Sequence, residues 1–333
     1  MTEFPGSQWK DYELLDSGRG EKLERFGSVV MARPEPKALW DKSLSEAEWR
    51  RLSHYAFRLN GAQKTGAIED RGTWERIKKA DEQWYIRYAG KQDGLGFRLR
   101  LGLTAFKHVG VFPEQAPNWE FIYRSVRRLA GVAPETAATL GTLRGGTASA
   151  VGSSEARRFQ GQQPASAPRV LNLFAYTGAA SLAAKAAGAD VTHLDSVRQV
   201  VTWARGNMEA SDLYGIRWVV EDAMKFVQRE ARRGNLYDGI ILDPPAYGHG
   251  PDGEKWKLDE CLFDMLKGVA AILKPQDSFM VLNLYSNGYS SALGETLVRE
   301  AFGRSGRMSS GELALNDSFG KALPLSIYVR LER

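Results

Sequence analysis

The 333-residue chain is 43% hydrophobic and 11% aromatic, which is enough apolar material for two domains or for one large domain with an appendage. Its longest apolar runs have only the length of a strand, and the N-terminal residues lack an apolar signal stretch, so neither a membrane helix nor a secretory leader is expected. A single cysteine, Cys261, excludes an intrachain disulfide and indicates a cytoplasmic protein.

The net charge of +5 is unevenly distributed along the chain. Residues 1–130 carry an excess of 5 positive charges and residues 131–169 an excess of 2, whereas residues 170–333 have a net charge of −2. A basic N-terminal part beside a nearly neutral C-terminal part suits a polyanionic partner such as RNA. The alternative is an ordinary solvated surface with a small basic excess.

Elements of a small α+β domain are predicted near the N-terminus. Residues 12–32 predict a β-hairpin with glycines in its turn. Ser45 and Glu48 form a capping-box pattern, and the helical spacing that follows predicts a helix as far as Leu59. A second hairpin is predicted over residues 84–103, around the turn GKQDG.

The sequence divides into four parts. We expect the small domain in residues 1–105, a connecting element and helix that contribute to the ligand site in 106–130, a flexible insertion in 131–169 and the main domain in 170–333. The insertion is rich in Ala, Gly, Ser, Thr, Pro and Gln and has almost no large apolar side chains. It therefore cannot bury enough surface to offset the entropy lost on ordering.

Strands and helices alternate regularly from residue 170 onward. Five such units predict a doubly wound parallel sheet with right-handed crossovers. Two further strands, in GELAL and LPLSIYVRLE, follow with no helix between them. They predict a terminal hairpin that adds an antiparallel strand to the sheet, a feature that a plain dinucleotide-binding fold lacks.

A tight turn follows the first of these strands, in VLNLFAYTGAA over residues 170–180. A single glycine lets the backbone pass close to a ligand, and amides at the start of the next helix face the ligand. A dinucleotide would require G-x-G-x-x-G for its pyrophosphate, so the turn favours a nucleoside cofactor without phosphate, S-adenosylmethionine (SAM). The candidate cofactor-binding residues are Asn172, Phe174, Ala175, Tyr176, Thr177 and Gly178.

Carboxylates follow the second and third strands as well. Asp195, with Ser196 beside it, lies roughly twenty residues after the turn, where a carboxylate can accept both ribose hydroxyls. Asp222 ends the third strand, where it would accept the adenine amine while Ala223 flanks the ring. Asn207, on the helix between them, is explained as well by capping or packing as by ligand binding.

The fourth strand ends in Asp243-Pro244-Pro245-Ala246-Tyr247. Two prolines fix a rigid backbone with few amide donors, so the carboxylate and the carbonyl groups can accept hydrogen bonds from an amino or ring N–H. Tyr247 could stack on a base drawn out of its helix or loop. We therefore take Asp243, Pro244, Pro245 and Tyr247 as candidate catalytic residues, with a purely structural turn as the alternative.

Residues 170–333 resemble the class I SAM-dependent methyltransferases, and among them the bacterial 23S ribosomal RNA methyltransferases that share the LNLFAYTG and DPP-x-aromatic motifs. The resemblance implies an α/β fold, a Rossmann-like class I methyltransferase sheet with a C-terminal antiparallel hairpin, plus a small N-terminal α+β domain. It extends to YELLDSGRGEKLERFG and GVFPEQAPNW in the N-terminal half. By the family pattern, Phe112, Glu114, Gln115 and Trp119 would close over the cofactor.

The acceptor atom is less constrained than the cofactor. Several relatives methylate carbon 5 of cytosine through a covalent cysteine adduct, but here the loop NLYSNG has Tyr285 near the expected position of that thiol. Cys261 lies on a helix face that we expect to pack. We therefore expect transfer to a base nitrogen of structured RNA, which needs no nucleophile.

Two alternatives remain from the sequence: a methyltransferase that acts on a protein side chain or small molecule, and a catalytically silent module that binds SAM or RNA. A catalytic metal is not expected, because the four histidines and the one cysteine show no ligand spacing.

Overall fold

The computed structural model describes residues 1–60, 71–131, 167–285 and 288–333. Its first strand, β1 (Thr2–Glu3), lies at the edge of an eight-stranded mixed sheet, not in the small domain where the sequence analysis placed these residues. The insertion expected over 131–169 falls almost entirely outside the described residues. No helix within the described ranges combines the length and apolar character needed to cross a membrane.

A small five-stranded sheet follows β1 in the chain. Its strands, in spatial as well as chain order, are β2 (Tyr12–Gly18), β3 (Glu21–Phe26), β4 (Val29–Pro34), β5 (Tyr55–Leu59) and β6 (Gly72–Arg76). Neighbouring strands are antiparallel except β4 and β5, which are parallel. The hairpin predicted from residues 12–32 is therefore present and continues into a third strand.

The helix between β4 and β5, α1 (Glu46–Leu52), is shorter than predicted. It begins with the predicted capping box but ends where Ser53 adopts an extended backbone and its hydroxyl donates to the Trp49 carbonyl oxygen at 2.8 Å. Residues 55–59 form β5 instead, so the helix predicted as far as Leu59 is wrong. Tyr55 and Ala56 are buried in two different apolar clusters, and strand pairing with β4 and β6 overrides the local helical spacing.

A two-stranded antiparallel sheet formed by β7 (Gln83–Ala89) and β8 (Gly96–Gly102) confirms the second predicted hairpin. The chain then passes through a 3-10 turn at Pro113–Gln115 into α2 (Ala116–Leu129). One face of α2 is buried in the largest apolar cluster of the described residues. This brings the segment around residues 110–122 against the larger sheet.

The C-terminal half contains the remaining strands and helices. The strands are β9 (Arg169–Leu173), β10 (Asp190–Asp195), β11 (Ile216–Val220), β12 (Gly239–Leu242), β13 (Tyr247–His249), β14 (Lys255–Lys257), β15 (Phe279–Leu284), β16 (Arg307–Asn316) and β17 (Ala322–Glu332). The helices are α3 (Ala179–Ala186), α4 (Arg198–Ala210), α5 (Ala223–Arg232), α6 (Leu258–Ile272) and α7 (Ser291–Phe302). All five predicted strand–helix units are present.

The order of the large sheet is β1-β16-β17-β15-β12-β9-β10-β11. Within this sheet, β15, β12, β9, β10 and β11 are all parallel to one another. Strand β17 is antiparallel to both β15 and β16. This confirms the Rossmann-like sheet with a C-terminal antiparallel hairpin. Leu173 pairs with Leu194 on one side and with Leu242 on the other, so the three strands end at one edge. The ribbon of β13 and β14 was not predicted.

Lys321, in the turn between β16 and β17, fixes the small sheet to the large one. Its ammonium group donates to Asp16 Oδ1 at 2.8 Å and to the Ser17 carbonyl oxygen at 2.6 Å. Asp317 Oδ2 accepts a hydrogen bond from Ser17 Oγ at 2.8 Å. Because Asp16, Ser17 and Asp317 are buried, these charge-assisted hydrogen bonds are sheltered from water and specify how the two sheets meet.

Candidate active site

A cavity opens at the carboxyl edge of β9 and β12, where ligands of parallel α/β sheets bind. The segment from Val111 to Ile122 forms one wall, and the turn after β9 together with the ends of β12 and β15 forms the other. The structure brings these sequence-predicted residues to its lining: Phe112, Gln115, Trp119, Asn172, Phe174, Ala175, Tyr176, Thr177, Gly178 and Asp243. Asp195, Ser196, Asp222, Ala223, Pro244, Pro245 and Tyr247 lie outside that lining.

The turn between β9 and α3 has an unusual backbone. Phe174 and Tyr176 have φ values of 55° and 49°, and Gly178 has φ of 92°. The left-handed region disfavours side chains, and a Cβ on Gly178 would lie only 3.1 Å from Ala204 Cβ. A glycine at residue 178 therefore meets both a conformational and a steric requirement.

Thr177 joins this turn to the N-terminal half of the chain. Its hydroxyl donates to the Gly110 carbonyl oxygen at 2.7 Å, and its own carbonyl oxygen accepts from Asn207 Nδ2 at 2.9 Å. Asn207 Oδ1 in turn accepts from the Arg100 amide at 2.8 Å. Because its amide group contacts backbone on both sides and is fully buried, Asn207 has a packing role.

Asp195 holds the same turn from the end of β10. Its Oδ2 accepts from the Tyr176 amide at 2.9 Å and its Oδ1 from the Val197 amide at 3.0 Å. Burial raises the pKa of the Asp195 carboxyl, although the backbone hydrogen bonds oppose that change. Each carboxylate oxygen has a second lone pair, so these contacts are compatible with the predicted ribose hydrogen bonds.

The structure accounts for Asp222 and Ala223 without a ligand. Asp222 is the N-cap of α5, and its Oδ1 accepts from the Lys225 amide at 2.9 Å. Ala223 is buried in the apolar cluster beneath α5 and α6. Their contact with adenine stays a prediction.

Asp243 lies at the end of β12, half-buried in the cavity wall. Its Oδ1 accepts from Asn283 Nδ2 at 2.8 Å, and Asn283 Oδ1 accepts from Ser326 Oγ at 2.9 Å. Burial raises the pKa of the Asp243 carboxyl to about 7; the Asn283 hydrogen bond opposes this change and the negative charge of Glu114 adds to it. A carboxyl group with this pKa can change protonation state near neutral pH.

The residues after Asp243 lead from the cavity to the surface. Pro244 is buried, while Pro245 is exposed and its carbonyl oxygen accepts from Trp256 Nε1 at 2.7 Å. Tyr247 begins β13 and its side chain is 68% exposed. The Asp-Pro-Pro turn therefore connects the half-buried carboxylate to an exposed aromatic ring.

The predicted closing segment makes a hydrogen-bonded wall on the other side. Gln115 Nε2 donates to the Tyr285 hydroxyl at 3.1 Å, and Asn118 Nδ2 donates to Gln115 Oε1 at 2.8 Å. Asn118 Oδ1 accepts from Arg330 Nε at 2.9 Å. The Phe112 ring centroid lies 5.1 Å from that of Tyr285, so aromatic and polar contacts bring the two halves of the chain together.

Two predicted residues of this segment are set deep in the protein. Trp119 is 3% exposed and packs edge-on against Tyr88, so it belongs to the apolar core as well as to the cavity wall. Glu114 is 2% exposed, and its Oε2 has no hydrogen-bond partner among the described residues. Burial raises the pKa of the Glu114 carboxyl.

Sequence analysis missed the part that Asn118 and Asn283 play in the wall, and assigned Tyr285 no role. The position of Asn283 was detectable, because it lies near the end of the fifth strand, one residue after the partner of Leu242, and the fourth and fifth strands are adjacent and parallel. Asn118 gave no such signal, since only the docking of α2 brings it to the cavity.

His193 and Cys261 are accounted for by packing. His193 is buried, its Nδ1 lies 3.0 Å from Ser181 Oγ, and burial lowers its pKa to about 3, so the ring is neutral. Cys261 is partly buried on α6 against an apolar cluster. Within the part of the chain that the structure describes, no group of three His, Cys, Asp or Glu residues could bind a metal ion.

Known proteins resemble this chain in both sequence and structure. A model of the S-adenosylmethionine-dependent methyltransferases matches residues 146–301. The crystal structure of a SAM-dependent methyltransferase from Agrobacterium tumefaciens is 35% identical; the alignment covers 100% of this chain and 93% of that one, with a TM-score of 0.78. A Streptococcus mutans structure, proposed to be a SAM-dependent methyltransferase, is 15% identical with a TM-score of 0.63 over 98% of this chain and 76% of that one, which shows the shared fold alone.

Curated relatives match a shorter region. Ribosomal RNA large subunit methyltransferase K/L of Shewanella frigidimarina is 30% identical over 118 residues, and that of Syntrophotalea carbinolica is 39% identical over 93 residues. The matches cover 34% and 27% of this chain but only 16% and 13% of those proteins.

Asp195 provides a test of the cofactor site. We expect Asp195→Ala to weaken SAM binding at least tenfold, or about 1.4 kcal/mol, because the variant loses the ribose acceptor and the carboxylate that holds the turn. Asp190→Ala, at the exposed start of the same strand, is the matched control and should bind SAM normally. Isothermal titration calorimetry on the folded proteins measures the SAM affinity. An unchanged affinity in Asp195→Ala would show that this residue does not belong to the site.

Proposed function

Because the chain belongs to the S-adenosylmethionine-dependent methyltransferases, we propose that it methylates a nitrogen atom of a base in structured RNA, most specifically ribosomal RNA. SAM is its cofactor. The single observation that carries the choice of a nitrogen acceptor is the half-buried Asp243 carboxylate at the cavity wall, held by Asn283 and followed by two prolines without N–H groups.

The cavity suits this cofactor. Bound SAM supplies an electrophilic methyl group on a sulfonium sulfur. Val111, Ile122 and Leu242 provide apolar walls, and Gly178 leaves space where a side chain would collide with α4. We assign cofactor binding to the turn after β9, to Asp195 with Ser196, and to Phe112, Gln115 and Trp119, while Asp222 and Ala223 would border the adenine.

The acceptor side is dominated by hydrogen-bond acceptors. Asp243 Oδ and the carbonyl groups of the Asp-Pro-Pro turn can orient a base through its amino or ring N–H, which aims the nitrogen lone pair. Because its pKa is near 7, the Asp243 carboxylate can also take the proton that the methylated nitrogen releases. We assign to Tyr247, whose ring is exposed, stacking on the same base.

Two features favour RNA as the substrate class. Residues 1–130 carry an excess of 5 positive charges, which suits a polyanion. The curated relatives are named for ribosomal RNA of the large subunit. A ribosomal RNA substrate and the single cysteine both accord with a cytoplasmic location.

Turnover assays test this function directly. Purified protein with methyl-labelled SAM should label ribosomal RNA but not protein extract or small metabolites, and nucleoside analysis should place the methyl group on nitrogen. Asp243→Asn serves as the inactive control, with SAM binding retained. Label confined to protein or metabolites would contradict the RNA assignment, and SAM binding without any turnover would indicate a silent module.

Asp243 also predicts a pH dependence. We expect kcat/KM on RNA to fall as the pH decreases below about 7, because the protonated carboxyl no longer accepts the base N–H. In Asn283→Leu the donor that stabilises the carboxylate is removed, so the pKa of Asp243 rises and the acidic limb of the profile moves to higher pH. Asp264→Asn, an exposed change on α6, should leave the profile unchanged. A flat profile across neutral pH would rule out this role for Asp243.

Cys261 separates nitrogen transfer from carbon-5 transfer. We expect Cys261→Ser to keep full activity, because the partly buried side chain packs on α6 and is assigned no covalent step. RNA containing 5-fluorocytidine should form no covalent adduct with the wild-type protein. Loss of turnover in a folded variant that still binds SAM, or a trapped adduct, would place Cys261 in the active site.

A further inference from the structure

The hairpin of β7 and β8 exposes a basic face on the side away from the core. Trp84, Ile86 and Tyr88 point inward and are buried, whereas the alternate residues Tyr85 and Arg87 are exposed on the opposite side. On β8, Arg98 is exposed and Arg100 half-buried on that same side. We call Tyr85, Arg87, Arg98 and Arg100 the arginine face.

The register of the hairpin places like charges together. Arg87 pairs directly with Arg98, and Tyr85 with Arg100. Like charges directly opposite each other destabilise an antiparallel pair. The nearby Asp11 carboxylate accepts from the Arg87 backbone amide at 2.7 Å, but among the described residues it forms no ion pair with the Arg87 guanidinium. The hairpin therefore places two guanidinium groups side by side on its exposed face.

Some other exposed arginines are neutralised by a carboxylate. Arg205 pairs with Glu209 and Arg307 with Glu332. Across the ranges described by the structure, the guanidinium groups of Arg87 and Arg98 form no ion pair or hydrogen bond. Unneutralised, closely spaced guanidinium groups are suited to bidentate contacts with phosphate.

Two hydrogen bonds through Asn207 connect the arginine face to the cofactor turn. The Arg100 carbonyl oxygen accepts from Trp203 Nε1 at 2.8 Å, and its amide donates to Asn207, which donates to Thr177. The Arg100 guanidinium also lies over the Trp203 ring, 5.2 Å from its centroid. A ligand bound to this face would therefore be held by the same rigid unit that contains the cavity.

We propose that the arginine face is a docking surface for the sugar-phosphate backbone of the RNA substrate, with Tyr85 stacking on an unpaired base. The proposal rests on the proposed function. Charge complementarity supports this occupant, and an exposed aromatic ring between arginines adds a contact that RNA bases can use and simple anions cannot. Docking here sets affinity for RNA, while the residues around Asp243 act on the base.

The test compares two double variants with the same decrease in charge. Arg87→Gln/Arg98→Gln removes the repulsive pair, and Arg304→Gln/Arg307→Gln removes two exposed arginines beyond α7. Fluorescence anisotropy with a labelled RNA stem-loop that carries a single-stranded extension gives Kd over a range of salt concentrations. Calorimetry gives the SAM affinity, and thermal melting reports stability.

We expect the first variant to bind RNA at least tenfold more weakly, and the slope of log Kd against log salt to fall by about 0.7–0.9 for each phosphate that the protein no longer neutralises. SAM affinity should not change, and the melting temperature should stay the same or rise as repulsion is relieved. In turnover, KM for RNA should rise with kcat nearly unchanged. Tyr85→Ala should weaken binding without changing the salt slope.

Separate results identify which proposal fails. If the Arg87/Arg98 variant binds RNA with the same affinity and salt slope as the Arg304/Arg307 variant, or if the wild-type protein does not bind the RNA probe, the docking surface is wrong. If RNA binding depends on the arginine face but only protein or metabolites are methylated, the proposed function is wrong. An equal decrease in affinity in both variants would show a non-specific charge effect and would also overturn the docking surface.

Discussion

The strained turn between β9 and α3 is the constraint on which the rest of the site depends. Tyr176 has a left-handed backbone, which costs of order 1–3 kcal/mol for a residue other than glycine, so neighbouring groups must hold it. Asp195 accepts the Tyr176 amide, Thr177 donates to Gly110, and Asn207 donates to Thr177. These partners belong to β10, α4 and the segment before α2. The turn therefore takes its shape only when all three have docked.

A second set of polar contacts fixes the opposite wall of the cavity. Arg330 donates hydrogen bonds to Glu3 and to Asn118. The series of hydrogen bonds continues from Asn118 to Gln115 and from Gln115 to Tyr285. Burying polar groups costs free energy unless each finds a partner, and a connected network then restricts the side chains to few positions. The wall thus joins β1, β17, α2 and the loop after β15. Its geometry is a property of the whole chain, and the C-terminal sheet alone does not determine it.

The sequence predicted the large sheet nearly element by element, because buried parallel strands and amphipathic helices carry strong periodic signals. The edge where Asp243 lies followed from the same pattern. Contacts between distant segments were not predictable: Asn118 reaches the cavity only through the docking of α2. Residue type was also ambiguous, since an aspartate such as Asp222 suits an N-cap as well as a ligand site. Tyr55 shows the third limit, in which strand pairing overrode a helical spacing.

The contacts of Lys321 have a consequence for the order of assembly. Lys321 is 305 residues from Asp16 in the chain, and Arg330 is 327 residues from Glu3. Domains generally fold as they emerge from the ribosome, N-terminal part first. The small sheet emerges early, but the cation that pairs with the buried Asp16 carboxylate belongs to the last hairpin and is synthesised much later. A chain released before β16 would leave the Asp16 carboxylate without this cation and β1 without its partner strand, and such products should be readily degraded by proteases.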